Sequence, residues 1–170
     1  MGLSLSEQYF IRAVDEYPYN LEEVFRNIEL VLTNDQRHAG ALCLLARVYH
    51  EQLERHDEAD QYFRKSLSAN PRYAPAFSHF IAFLLEIGEV DQAEQFLKHA
   101  RKLKGIKRAQ LHLWQAQIWE LRGRLQEADA ELRIALSKCL DSNYFEFIEN
   151  ERNRIEKKMN YQIQNWYVVK

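Results

Sequence analysis

The chain has 170 residues, of which 46% are hydrophobic and 28% charged, a balance that excludes both a disordered tail and a membrane-embedded bundle and suits one domain with a sizeable core. A net charge of −2 supplies no field to gather nucleic acid. Five glycines and three prolines are too few for the many turns of a sandwich or barrel, so long helices with short connections are expected.

Residues 1–7 hold no basic region and no continuous apolar run, so no signal peptide is expected. Gly2 with Ser6 matches a myristoylation pattern too common to count. No window of eighteen uncharged apolar residues occurs, so nothing is expected to span a bilayer. Cys43 and Cys139 lie far apart and form no metal-type spacing. A reduced, cytoplasmic chain is the simpler reading, with a disulfide left open.

In chain order, residues 5–37 read as a degenerate helix pair. A first helix around 7–17 is separated by Pro18 from a second, where Asn20 with Glu23 resembles an N-cap with its capping-box partner and Val24, Ile28, Val31 and Leu32 form a stripe. Three similar segments follow. Ala59, Ala93 and Ala128 are spaced by 34 and 35 residues, and Ala39, Ala74 and Ala109 by 35. Each unit divides into two helical stripes. Residues 74–108 carry Phe77, Phe80, Ile81 and Leu84, then Ile87-Gly88-Glu89, then Val90, Ala93, Leu97 and Ala100. Residues 109–141 carry Leu111, Trp114, Ile118 and Leu121, then Arg122-Gly123-Arg124, then Leu125, Ala128, Leu132 and Ala135. Residues 39–73 carry Leu42, Leu45, Ala46 and Tyr49, then Ala59, Phe63, Ser66 and Leu67. Its turn, Glu54-Arg55-His56-Asp57, reads as one residue longer and lacks the glycine. Glycine at such a turn tolerates positive φ and ends the first helix, and alanine where two antiparallel helices cross lets their axes approach to roughly 8–10 Å. Each pair leaves an apolar face that only a neighbouring pair can cover.

Residues 142–160 follow as one helix, capped by Asp141 or Ser142. Tyr144, Ile148, Ile155 and Met159 lie on one side and charged residues on the other, which suits a helix sealing the end of a stack. Residues 161–170 differ: they are aromatic and β-branched with partial alternation. Packing of this tail along the stack or into a second copy, giving a homodimer, is expected on burial of its apolar side chains.

With these residues the chain resembles the tetratricopeptide repeat family. The match runs Leu42, Leu45, Ala46, Tyr49, Ala59, Phe63, Pro71 in the first unit. It runs Phe77, Phe80, Leu84, Gly88, Ala93, Leu97, Ala100 in the second, and Ala116, Trp119, Gly123, Ala128, Leu132, Ala135 in the third. Ile81 departs from the family's small residue and Gln115 from its leucine. The resemblance implies an all-α fold, a right-handed superhelical α-solenoid of helix–turn–helix repeats with a C-terminal capping helix. It also implies a protein-binding module whose concave face is lined by the first helix of each pair. Carried over by position, that lining is Arg47, His50 and Glu51, then Ser78, His79 and Ala82, then Leu113, Trp114, Gln117 and Glu120. The subfamily that grips chaperone C-terminal carboxylates uses lysine, asparagine and arginine at positions held here by Cys43, Arg47, His79, Gln110 and Trp114. Only the arginine suits.

The expected partner is a protein or peptide, with no nucleic acid, no membrane and no cofactor or metal. No phosphate loop, nucleophile elbow, metalloprotease motif or paired-cysteine cluster occurs, so an enzyme is not expected. Self-assembly through the tail, or a secretion-type chaperone role suggested by size and repeat number, are the alternatives. Trp119 takes a core position. Trp114 is one residue off the core leucine, and core packing competes there with a role as partner anchor. His50 and His56 flank a turn with no third ligand in reach. The basic run Lys98, Arg101, Lys102, Lys104, Lys107 and Arg108 reads first as cations complementing a helix C-terminus, and second as a hold for a phosphate or an acidic partner.

Overall fold

The structure, a computed structural model, describes the backbone of residues 2–168 and the side chains of residues 2–162. Among these, every regular element is helical: α1 (Leu5–Glu16), α2 (Leu21–Asn34), α3 (Ala39–Arg47) continued by a π-helical turn (Val48–Gln52), α4 (His56–Ala69), α5 (Ala74–Glu86), α6 (Val90–Ala100), α7 (Arg108–Leu121), α8 (Leu125–Lys138) and α9 (Ser142–Val168). They form two compact units, Met1–Phe80 and Ile81–Lys170, with the division falling inside α5.

Unit 1 begins with a full capping box, in which the Ser4 hydroxyl accepts from the Glu7 amide and the Glu7 carboxylate accepts from the Ser4 amide, satisfying two of the helix's orphan donors. Asn20 caps α2 by accepting from the Glu23 amide at 3.3 Å. The core is Ala13, Val24, Ile28, Val31, Ala41, Leu44, Leu45 and Val48. Gly40 admits α1 closely, since a Cβ there would meet the Phe10 ring at 2.6 Å. Ser66 is fully buried, and its hydroxyl donates to the Ala39 carbonyl at 2.7 Å, so the polar group is satisfied within the α3–α4 hairpin.

The first-repeat turn corrects the expectation drawn from sequence. Leu53-Glu54-Arg55 connects the helices with as many residues as Ile87-Gly88-Glu89 and Arg122-Gly123-Arg124. The extra residue sits inside the first helix, as the π turn, where the Leu53 amide reaches back to the Val48 carbonyl at 3.2 Å. Glu54 then takes the glycine's place with φ 53, against 79 for Gly88 and 74 for Gly123. A wider helical turn absorbs an insertion without moving the connection.

In unit 2, Ala109, Leu113, Ala116, Leu125, Ala128, Leu132, Ala135, Ile148 and Ile155 form the core. The hairpin alanines Ala93 and Ala128, like Ala59 in unit 1, are wholly buried. The Asp129 carboxylate, 8% exposed, accepts from Arg133 and Arg152, each at 2.8 Å, and so ties α8 to α9. Asp141 caps α9, accepting from the Tyr144 amide at 2.9 Å. The helix does not stop at residue 160 but runs to Val168, so the backbone of residues 161–168 continues it instead of forming a separate tail. The expected homodimer through residues 161–170 falls largely on side chains outside the described residues.

Candidate partner-binding site

Of the expected lining, Arg47, His50, Glu51, Ser78 and His79 belong to unit 1. Arg47 donates to both oxygens of Glu51, at 2.9 and 3.2 Å, and its guanidinium lies 4.5 Å from the centre of the Tyr17 ring. The Tyr17 hydroxyl donates to Glu51 as well. Forked pairing fixes both side chains, and the stacked ring adds roughly 0.5–2 kcal/mol. Burial acts to raise the Glu51 carboxyl, but the bonds from Arg47 and Tyr17 outweigh it and hold it below the usual carboxylate range. Burial, with Glu51 as acceptor, pushes the Tyr17 hydroxyl up to about 12. Burial, with Arg47 nearby, presses the His79 imidazole down to about 4, so it is neutral near pH 7. Cys43 is a buried free thiol, raised by burial to about 12 and therefore unreactive. His50 and His56 have ring centres 5.5 Å apart. Among the described residues no group of three His, Cys, Asp or Glu is placed to hold a metal ion.

Ala82, Leu113, Trp114, Gln117 and Glu120 belong to unit 2, where all five line one groove of about 670 Å³. Its floor is α7. Leu113 and Trp114 are each 3% exposed, so Trp114 is built into the core and shows the groove only a narrow face. Leu85 and Glu86 from α5 form one wall, and Tyr144, Phe147, Arg154 and Lys158 from α9 form the other. Leu121 and Phe147 are the accessible apolar groups, at 51% and 47% exposure. The Tyr144 hydroxyl donates to Gln110 at 2.7 Å, and its ring stacks on Phe147 with centres 6.0 Å apart.

At the far end, the Glu120 carboxylate is gripped by the Arg154 fork, one arm at 2.7 Å, and by Lys158. The bond from Arg154 is the main reason its carboxyl lies below the usual range, and Glu120 in turn raises Arg154 further. Trp119 packs partly into the core with the Arg124 guanidinium 4.3 Å from its ring centre.

The α9 wall was missed by carrying over first-helix positions alone. A signal for it exists: Tyr144, Phe147, Glu151, Arg154 and Lys158 recur at alternating steps of three and four, a helical stripe beside the buried one of Ile148 and Ile155.

Residues 51–105 match the family model described as tetratricopeptide repeat. Among solved structures, the chain is similar to a thermophilic TPR protein of Thermus thermophilus, with 22% identity over 88% of this chain and 80% of that one, at a TM-score of 0.69. It is similar to PilF of Pseudomonas aeruginosa, with 18% identity over 93% of this chain and 70% of that one, at 0.79. A third is PilW, a widely conserved type IV pilus biogenesis factor, with 19% identity over 80% of this chain and 63% of that one, at 0.71. At these identities the likeness is one of fold. Among curated proteins none matches the chain.

Proposed function

We infer that this chain, a member of the tetratricopeptide repeat family, is a non-catalytic protein-interaction module whose unit 2 groove takes a short helical or extended segment of a partner protein. The observation that carries this reading is the groove of about 670 Å³ with an apolar floor, accessible Leu121 and Phe147, and a polar rim. That is the size and make-up of a cleft that buries a few side chains of a guest. Leu121 and Phe147 supply apolar area worth about 25 cal/mol per Å² covered, and Gln117 and Glu86 offer donors and acceptors at the edge.

Glu120 orders the α9 wall through Arg154 and Lys158 more than it greets a guest, because its carboxylate is already neutralised. In unit 1 the Arg47–Glu51 pair keeps about a quarter and a third of its side-chain surface exposed. With His50, Ser78 and His79 it would read polar groups of a guest there. The cytoplasmic setting belongs to this proposal and rests on the free thiols Cys43 and Cys139.

The test is a photo-crosslinking amino acid placed at Gln117, with a control at the outward Arg133, alongside affinity capture by a separate Gln117→Arg, Phe147→Glu variant. Adducts at 117 that vanish in a Phe147→Glu background are expected. The same partners captured by wild type and by the double variant would move binding off the groove.

A further inference from the structure

The cations of this chain are unevenly used. Arg26, Arg47, Arg55, Arg64, Arg122, Arg124, Arg133, Arg152 and Arg154 all pair with carboxylates. Lys102, Lys104, Arg108 and Lys138 are exposed and pair with no carboxylate among the described residues, and Lys107 meets only the Tyr144 ring, at 6.0 Å. Complementing the dipole of α6 accounts for Lys98 in its last turn but not for the rest, since that effect fades within a turn. Lys107 and Arg108 sit at the N-cap and first residue of α7, whose first turn holds no acid. Cations there oppose the helix dipole, so local stability has been given up. Beside them stands Leu140, 103% exposed at the α8–α9 turn. Lys107, Arg108, Lys138 and Leu140 line one hollow, with Asp141 as its single acid.

We propose that this edge of unit 2 binds the surface of an anionic phospholipid bilayer. Leu140 enters the apolar boundary, while Lys107, Arg108 and Lys138 beside it meet lipid phosphates. A leucine standing clear of the surface needs a fluid medium and not a matching cavity. The set is mostly lysine, whose compact, strongly hydrated charge suits diffuse attraction to headgroups, whereas Arg47, Arg64 and Arg154 make forked pairs with carboxylates. Among the described residues no helix is long and apolar enough to cross a membrane, so the contact is peripheral. It is independent of any guest in the groove.

The test is co-sedimentation of the full chain with phosphatidylcholine vesicles, with and without phosphatidylglycerol, across a salt series. Binding is expected only with the anionic lipid and falls as salt rises. Neutralising one such cation weakens partitioning about fivefold, so the Lys107→Gln, Lys138→Gln double variant loses roughly 25-fold. Leu140→Ser loses at least about tenfold. These side chains are exposed, and unchanged helical circular dichroism would verify folding. A Leu140→Trp variant is expected to shift its emission to the blue on anionic vesicles. Three results would each overturn the proposal: no sedimentation with anionic vesicles at low salt, sedimentation unaffected by the lysine variant, or heparin binding of equal strength with Leu140→Ser neutral on vesicles.

Discussion

In unit 1 the first-helix positions of the repeat hold Arg47, Glu51 and His79; Arg47 and Tyr17 from α1 satisfy Glu51, and His79 lies buried within electrostatic reach of the pair. In unit 2 the first-helix positions hold Leu113, Trp114 and Gln117, and a groove lies over them. The connections differ too. Unit 1 reaches its turn through a π turn and Glu54 at positive φ, while unit 2 uses Gly88 and Gly123. A repeat position therefore states which way a side chain faces. Whether that side chain is available depends on what its neighbours have already taken.

The comparison breaks most readily at Trp114. Trp114→Ala removes a buried ring from the groove floor and is expected to cost about 3–5 kcal/mol in chemical denaturation. A loss under 1 kcal/mol would mean that the floor is not part of the unit 2 core.

The unit 1 network answers to pH next. An unfolded chain takes up a proton on His79 below the ordinary 6.5, whereas the folded chain waits until about 4. Stability from this group is thus fully present above 6.5 and declines as the pH falls towards 4. His79→Gln should flatten that slope in urea titrations between those values, and parallel slopes for the two proteins would refute it. The depressed carboxyls Glu51 and Glu120 act lower, their contributions fading only as the pH drops below 4.5.

Gly40→Leu overfills the α1–α3 contact at Phe10, with an expected loss of about 1–3 kcal/mol, detectable as earlier hydrogen exchange in α1. The smallest effect separates the turns. Glu54→Gly relieves a strained left-handed residue and should raise stability by up to about 1 kcal/mol, while Gly88→Ala should lower it by a similar amount. Opposite signs are the outcome to look for, and equal signs would erase the distinction between the two connections.

Much of the fold was legible. The hairpin alanines, the glycine turns and the caps at Asn20 and Asp141 all follow from local chemistry, because each depends on residues within one or two turns of chain. The π turn did not, since a period that slips by one residue tells where an insertion lies only to within a helix and its turn. The helix α9 runs past the expected end at residue 160, because the change to aromatic and β-branched residues is too weak a signal to stop a helix already under way, which extends cheaply.

For the candidate site, Ala82, Leu113, Trp114, Gln117 and Glu120 were reachable from the repeat register, whereas Tyr17, Arg154 and Lys158 were not. Tyr17 finds Glu51 across 34 residues of chain and Arg154 finds Glu120 across 34. The sequence by itself determined periodic hydrophobicity, and with it helices, hairpins and the need to stack, because a stripe repeating every three to four residues has one way to be buried. Tertiary structure alone decided which charges cancel and which surface stays open, because pairing between distant side chains depends on where packing sets the helices, and no local spacing records that.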